Sequence, residues 1–123
     1  MTGDDRGKVL DADSGPAVDL VAEGGSARAI VWPGVGAHLR SMQRISLAPS
    51  GRTRRLQHPG EAVYYVISGS GSVADDTATS ELIEGSMIHV EPGTPYEVTA
   101  GPDGIEIVGG PSPADPAMYR GLL

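Results

Sequence analysis

The side chains in this sequence that could carry out chemistry are mainly histidine, tyrosine and glutamate. The chain has three His, four Tyr and no Cys, which excludes disulfides, thiolate catalysis and cysteine-based zinc or iron–sulfur sites. His58 is followed closely by Glu61 and Tyr64. An imidazole beside a phenol can act as base and acid, whereas an imidazole beside a carboxylate can ligate a metal. The fold decides which of these groups meet.

Size and charge limit the possible functions. A chain of 123 residues is expected to form one domain. The net charge is -7, so nucleic acid and anionic membranes, which need a basic footprint, are not expected partners. The first residues are polar and lack the apolar segment of a signal peptide, and no apolar run approaches the ~20 residues of a membrane helix. We expect a cytoplasmic protein.

The elements that position the chemical groups are predicted to be strands. Short β-like runs follow one another, separated by Gly- and Pro-containing turns, and no 3.6-residue apolar period occurs before residue 111. This pattern is typical of an all-β sandwich or barrel. The predicted strands are residues 18–22, 27–32, 42–47, 63–68, 71–74, 81–83, 87–90, 96–99 and 105–108.

Three regions are predicted along the chain. Residues 1–15 are polar and form a mobile arm, residues 16–110 form the barrel, and residues 111–123 form a tail that packs on the barrel or on a partner. In the tail, Asp115 can cap a short helical turn and Pro116 suits its first position.

Two segments carry a family resemblance. Residues 49–71 read PSGRTRRLQHPGEAVYYVISGSG, and residues 84–96 read EGSMIHVEPGTPY. Together they resemble the two conserved motifs of the cupin superfamily, and the resemblance covers residues 27–110. It implies a double-stranded β-helix, a jelly-roll barrel whose interior binds a small molecule.

The resemblance also implies that the usual cupin metal site is degenerate. In metal-binding cupins the first motif supplies two His and one Glu, and the second motif supplies one His. The matching positions here are Leu56, His58, Ala62 and Tyr96. One His cannot hold a catalytic metal, which generally needs at least three protein ligands, so we expect no metal cofactor.

An alternative ligand set remains open. If a β-bulge turned Glu61 inward, then His58, Glu61 and His89 could bind iron, nickel, manganese or zinc through two imidazoles and one carboxylate. In the other interpretation, Glu61 is exposed, and His89 is a hydrogen-bonded barrel residue or faces solvent. His38, in a Gly-rich loop, is interpreted as a surface residue.

Alternation along the strand after His58 identifies the pocket-facing positions. The inward set is Ala62, Tyr64 and Val66, and the outward set is Val63, Tyr65 and Ile67. By the resemblance, the candidate catalytic residues are His58, Tyr64 and Tyr96, although Tyr64 could simply be a packing residue. Gln43 and Arg44 point to opposite faces of their strand, and one of them faces the pocket. The candidate ligand-binding residues are Leu56, Glu61, Ala62, Val66, His89 and Gln43.

Three functions are compatible with these features. The first is a metal-independent isomerase, epimerase or cyclase acting on a small organic metabolite. The second is a non-catalytic ligand-binding or sensing module, favoured by the apolar Leu56 and Ala62 at former ligand positions. The third is a metal-dependent dioxygenase-like enzyme with displaced ligands. Fold alone does not choose among them.

A homodimer is also predicted. The outward set of Val63, Tyr65 and Ile67, together with Trp32 and residues 118–122, would otherwise leave apolar surface exposed on a monomer.

Overall fold

The computed structural model describes residues 6–123, which form six β-strands and two short 3₁₀ helices. All strand pairs are antiparallel, and the predicted all-β jelly-roll fold is confirmed. Within residues 6–123 no helix is long and apolar enough to cross a membrane. The strands are β1 (Val21–Val31), β2 (Met42–Thr53), β3 (Glu61–Ala74), β4 (Thr79–Ile83), β5 (Met87–Val90) and β6 (Glu97–Ser112), and the helices are Pro33–Val35 and Pro116–Tyr119.

Each of the four long strands contributes residues to both halves of the sheet; these strands are β1, β2, β3 and β6. In the first half β1, β2, β6, β3 and β5 pair in that order, through residues 25–31, 42–47, 105–112, 61–69 and 87–90. In the second half β1, β2, β6, β3 and β4 pair in that order, through residues 21–23, 52–53, 97–100, 70–74 and 79–83. The two halves enclose one core, with β4 and β5 at their edges.

Glycines bend the long strands without ending them. Gly69 has φ +83 and Gly104 has φ +77, conformations that L side chains rarely adopt. A Cβ on Gly69 would lie 2.1 Å from the carbonyl oxygen of Gly104, so the two bends need glycine for space as well. Because the strands bend at these glycines and continue, the predicted strands 63–68 and 71–74 form the single strand β3, and 96–99 and 105–108 fall together in β6. We call the end of the barrel at Gly69 and Gly104 the bent end. The opposite end, where β3 begins at Glu61 and β6 ends at Ser112, is called the open end.

The core is aliphatic around three buried tyrosines. Tyr64, Tyr96 and Tyr119 are among the largest fully buried side chains, next to Ile45 and Ile107. Each aromatic ring buries ~150–250 Å² and stabilises the fold by roughly 4–6 kcal/mol at most. A buried phenol also needs a hydrogen-bond partner, so the polar ends of these side chains must meet other polar groups inside the barrel.

The C-terminal tail packs on the barrel. Asp115 caps the second 3₁₀ helix, since its Oδ1 accepts a hydrogen bond from the Ala117 amide at 3.0 Å. Met118 and Tyr119 are buried, and the rings of Tyr119 and Trp32 lie 5.4 Å apart. The prediction that Trp32 and Met118 belong to an exposed apolar surface is therefore wrong, because both pack against the core.

The predicted N-terminal arm is only partly described. Residues 1–5 lie outside the described residues. Within the remainder, the Lys8 ammonium donates to the Val35 carbonyl at 2.7 Å, and Arg28 donates to the Gly15 carbonyl at 2.9 Å.

Candidate active site

Four buried side chains form one line of hydrogen bonds near the open end of the barrel. His58 Nδ1 lies 2.8 Å from Asp115 Oδ2, and His58 Nε2 lies 2.8 Å from the Tyr96 hydroxyl. The Tyr96 hydroxyl lies 2.7 Å from the Tyr64 hydroxyl. We call Asp115, His58, Tyr96 and Tyr64 the four-residue network. It contains all three candidate catalytic residues and adds a carboxylate.

Backbone pairing brings the members of this network together. Leu56 and Tyr96 exchange two backbone hydrogen bonds, of 2.7 and 2.8 Å, just before His58. The His58 carbonyl then accepts from the Gly93 amide at 2.8 Å, which holds the His58 loop beside Tyr96. Tyr64 comes from β3, where the inward and outward residues alternate as the sequence predicts.

The chemistry of the groups sets the direction of the hydrogen bonds. The Asp115 carboxylate can only accept, so in the neutral ring Nδ1–H of His58 donates to it. The Nε2 atom of His58 then accepts from the Tyr96 hydroxyl, and the Tyr96 oxygen accepts from the Tyr64 hydroxyl. A carboxylate that orients an imidazole towards a hydroxyl is the arrangement that activates many catalytic hydroxyl groups.

Burial keeps both phenols protonated. Burial raises the pKa of Tyr64 to about 12, even though the hydrogen bond with Tyr96 acts against it. Burial also raises the pKa of Tyr96, and the neighbouring Tyr64 and the Asp115 charge raise it further. At neutral pH both phenols are therefore protonated and act as hydrogen-bond donors.

A second polar cluster lies beside the network. Tyr119 donates to the Gln43 side-chain oxygen, the Gln43 amide donates to the Gly109 carbonyl at 3.3 Å, and burial raises the pKa of Tyr119. Gln43 is thus the inward residue of the Gln43–Arg44 pair. Arg44 lies outside, 3.0 Å from a Glu106 oxygen.

The alternative metal-ligand set does not assemble. The pairing of β3 with β5 is regular from Ala62 to Tyr65, so no bulge turns Glu61 inward. Glu61 and His89 are exposed and pair with each other at 3.0 Å, whereas His58 is buried. The structure therefore matches the other interpretation from the sequence, in which Glu61 is exposed and His89 faces solvent.

The family metal positions do not fit a metal either. Leu56 and Ala62 offer no lone pair, and both ring nitrogens of His58 are already engaged by Asp115 and Tyr96. Across the part of the chain that the structure describes, no group of three His, Cys, Asp or Glu side chains could hold an ion. These positions therefore do not offer the donor set of a metal site.

A cleft of about 300 Å³ reaches the network between the edges of β4 and β5. Tyr96, Ile88 and Val90 line it, and so do Asp75 and Glu91. Four of the predicted ligand-binding residues are buried inside the barrel and do not line this cleft, namely Leu56, Ala62, Val66 and Gln43. His89, in contrast, lines it. Of the four-residue network only Tyr96 lines the cleft, and its side chain is 1% exposed.

Sequence reasoning missed Asp115 as a site residue. Its position before Pro116 indicates a helix cap, and the cap is present. Nothing in the local pattern indicates that the second carboxylate oxygen reaches His58, because that contact joins residues 57 positions apart. His38, in contrast, has an exposed side chain, as interpreted from the sequence.

Comparisons with known proteins agree with this architecture. A family model described as a cupin domain matches residues 43–105, slightly more than half of the chain. A search of curated proteins found no match.

Solved structures with the same fold are distant in sequence. A cupin-like protein from Thermotoga maritima is 18% identical with a TM-score of 0.70, over 86% of this chain and 81% of that chain. A predicted oxalate decarboxylase, also from Thermotoga maritima, is 15% identical with a TM-score of 0.70, over 85% and 98%. A polyketide cyclase from Streptomyces resistomycificus is 20% identical with a TM-score of 0.66, over 88% and 75%. At these identities the likeness concerns the fold alone.

Proposed function

The chain belongs to the cupin domain family, and from that premise we propose that it is a metal-independent acid–base enzyme of the isomerase, epimerase or cyclase type. Its substrate is a small organic molecule bound in the cleft that ends on Tyr96. The observation that carries this proposal is the hydrogen-bonded line from Asp115 through His58 to Tyr96.

The proposed step moves one proton along the four-residue network. A substrate C–H next to a carbonyl gives its proton to the Tyr96 oxygen, while the Tyr96 proton passes to His58 Nε2. The electron pair of the broken C–H bond remains on the substrate as an enolate, and His58 becomes an imidazolium. The reverse transfer returns a proton to the substrate, at the same carbon, at another carbon or at oxygen.

The other two members of the network stabilise this charge separation. The Asp115 carboxylate lies beside the imidazolium, and the Tyr64 hydroxyl donates to the Tyr96 oxygen, where partial negative charge builds up as the two protons move. Both groups are buried, where hydrogen bonds to charged atoms are stronger than in water. A positioned acid–base pair of this kind contributes about 10²–10⁴-fold to a rate.

Hydrogen exchange tests the proposal without knowledge of the pathway. Hydroxyacetone, cyclohexanone, γ-butyrolactone and pyruvate are incubated with the protein in deuterated water, and the loss of C–H proton signals is followed by NMR. We expect catalysed exchange for at least one probe. Tyr96→Phe and His58→Gln should lower its rate by about 10²–10⁴-fold.

An exposed histidine provides the matched control. His89→Gln removes an imidazole from the rim of the cleft without touching the network, and it should retain exchange activity. Equal losses for His58→Gln and His89→Gln would contradict the proposed roles. Saturable probe binding without any exchange would instead assign the chain to the ligand-binding module.

We also propose that two copies pair through the outer face of the first sheet half. A groove of about 420 Å³ lies there, with apolar side chains including Met42, Val63 and Tyr65 along it. Val63 and Tyr65 are 40% and 43% exposed, which is unusual for adjacent large apolar residues on a monomer surface. Arg40 and Glu61 line the same groove, so a twofold axis can place each arginine against the glutamate of the second copy.

A further inference from the structure

The cleft that reaches Tyr96 carries negative charge. Of the ionisable side chains that line it, Asp75 and Glu91 are acidic, Tyr96 is a protonated phenol, and His89 is the only histidine. His89 Nε2 already faces a Glu61 oxygen at 3.0 Å. Among the described residues, no Lys or Arg lines the cleft, and its histidine is next to a carboxylate.

The charge of Asp75 is fixed by its turn. One Asp75 oxygen accepts from the Thr77 amide at 2.8 Å, from the Ala78 amide at 2.9 Å and from the Thr77 hydroxyl at 3.0 Å. These hydrogen bonds, with the Thr77 amide first, hold the pKa of Asp75 below its usual value. Arg55 forms an ion pair with the neighbouring Asp76, and it does not line the cleft.

The remaining groups in the cleft suit an uncharged molecule. Ile88 and Val90 provide apolar surface, and Ser80 and Thr94 provide hydroxyl groups. Each of these two hydroxyl groups can donate to an acceptor oxygen, whereas the Tyr96 proton at the inner end is already donated to His58. A carbonyl oxygen is such an acceptor and carries no net charge.

We propose that the cleft selects small uncharged or cationic carbonyl compounds and rejects carboxylates and phosphates. The proposal rests on the proposed function only for the role of Tyr96 as the inner contact. It adds that Asp75 and Glu91 determine which substrates enter, because an anion would have to approach two carboxylates with no opposing cation.

Three probes of nearly the same shape test this selectivity. Benzamide is neutral, benzamidine is cationic and benzoate is anionic, and the affinity of each is measured by NMR titration of the protein at low salt. We expect benzamide and benzamidine to perturb the resonances of Ile88, Val90 and Thr94, and benzoate to bind about tenfold more weakly.

Charge-neutralising variants identify the residues responsible. Asp75→Asn keeps the oxygen that accepts from the turn amides, so the fold should be retained. Together with Glu91→Gln it should bring the benzoate affinity close to that of benzamide. Asp103→Asn removes the same charge at the bent end of the barrel, where Asp103 lines a different surface depression, and it should leave the affinity ratio unchanged.

The outcomes separate this inference from the proposed function. Two results would overturn the selectivity. One is benzoate binding as tight as benzamide binding in the unmodified protein, and the other is a ratio of benzamide to benzoate affinity that the double variant does not change. Absence of binding for all three probes would also overturn it. If catalysed hydrogen exchange fails while the charge order holds, then the proposed function is wrong and the selectivity of the cleft stands.

Discussion

Asp115 and His58 are joined by a hydrogen bond of 2.8 Å between Oδ2 and Nδ1, with both side chains buried. The other Asp115 oxygen caps the C-terminal 3₁₀ helix through the Ala117 amide. One carboxylate therefore fixes the tail and orients the imidazole. The tail is thus part of the candidate active site.

Asp115→Asn should reduce catalysis more than it reduces stability. The amide keeps one oxygen for the helix cap, but its NH₂ group cannot accept from His58 Nδ1–H. The imidazole then loses the charge that stabilises its protonated form, and the exchange rate should fall by about 10²–10⁴-fold. Hydrogen exchange in deuterated water and urea denaturation measure the two effects. Asp19→Asn, at an exposed aspartate, is the control, and an unchanged rate in Asp115→Asn would contradict the assignment.

Tyr64→Phe should change the stability at alkaline pH. The folded-state pKa of Tyr64 is about 12, above the ~10 of an unfolded tyrosine. Below the unfolded value its contribution to stability is fully present, and it is lost as the pH rises from ~10 towards the folded value, because only the unfolded chain ionises there. At about pH 11 the wild type should thus have lost about 1.4 kcal/mol that the variant does not lose.

The matched control for this prediction is Tyr65→Phe, one residue further along β3 and on the outer face. Urea denaturation is compared at neutral pH and at about pH 11, between the two tyrosine pKa values. An equal alkaline loss of stability in the wild type and in Tyr64→Phe would mean that the Tyr64 phenol ionises as easily in the folded protein as in the unfolded chain.

Gly69→Ala should destabilise the barrel more than Gly85→Ala. Both glycines have positive φ, +83 and +89, but a Cβ at Gly69 meets the Gly104 carbonyl oxygen at 2.1 Å whereas Gly85 has open space. Gly85→Ala should cost about 1–2 kcal/mol for the backbone conformation alone. Gly69→Ala should cost clearly more, as measured by urea denaturation. Equal costs would show that the two bends do not need to approach closely.

Val63→Lys should convert the proposed dimer into a monomer. The substitution places two ammonium groups in an apolar contact about a twofold axis, whereas on a monomer a half-exposed position tolerates lysine. Light scattering gives the mass, and circular dichroism checks the fold. Ile83→Lys, at an exposed position on β4, is the control and should remain dimeric. A monomeric wild type at micromolar concentration would refute the pairing.

The inward and outward faces of β3 could be predicted from the sequence. Ala62, Tyr64 and Val66 are at most 1% exposed, while Val63 and Tyr65 are at least 40% exposed, because side chains alternate strictly along a regular strand. The same regularity excludes the alternative in which Glu61 faces inward. A bulge was needed to turn it inward, and the ladder in this region has none.

The number of strands and the role of Asp115 could not be predicted. Local turn signals at Gly69 and Gly104 mark a change of direction, but whether the hydrogen-bond ladder continues across the bend depends on pairing between distant residues. The contact of Asp115 with His58 is likewise set by how the tail packs on the barrel, which depends on Tyr119 and Trp32 meeting at long range. Single-sequence patterns describe neighbours along the chain, and these features depend on neighbours in space.

Nitrogen NMR of the His58 ring tests most directly whether His58 accepts a proton from Tyr96. Spectra of His38→Gln and His89→Gln variants assign the His58 signals, since these are the other two histidines. For the neutral ring, we expect a protonated Nδ1 facing Asp115 and an unprotonated Nε2, whose chemical shift reports a hydrogen bond that disappears in Tyr96→Phe. A neutral ring protonated on Nε2, or an Nε2 signal that Tyr96→Phe leaves unchanged, would contradict the proposed proton path.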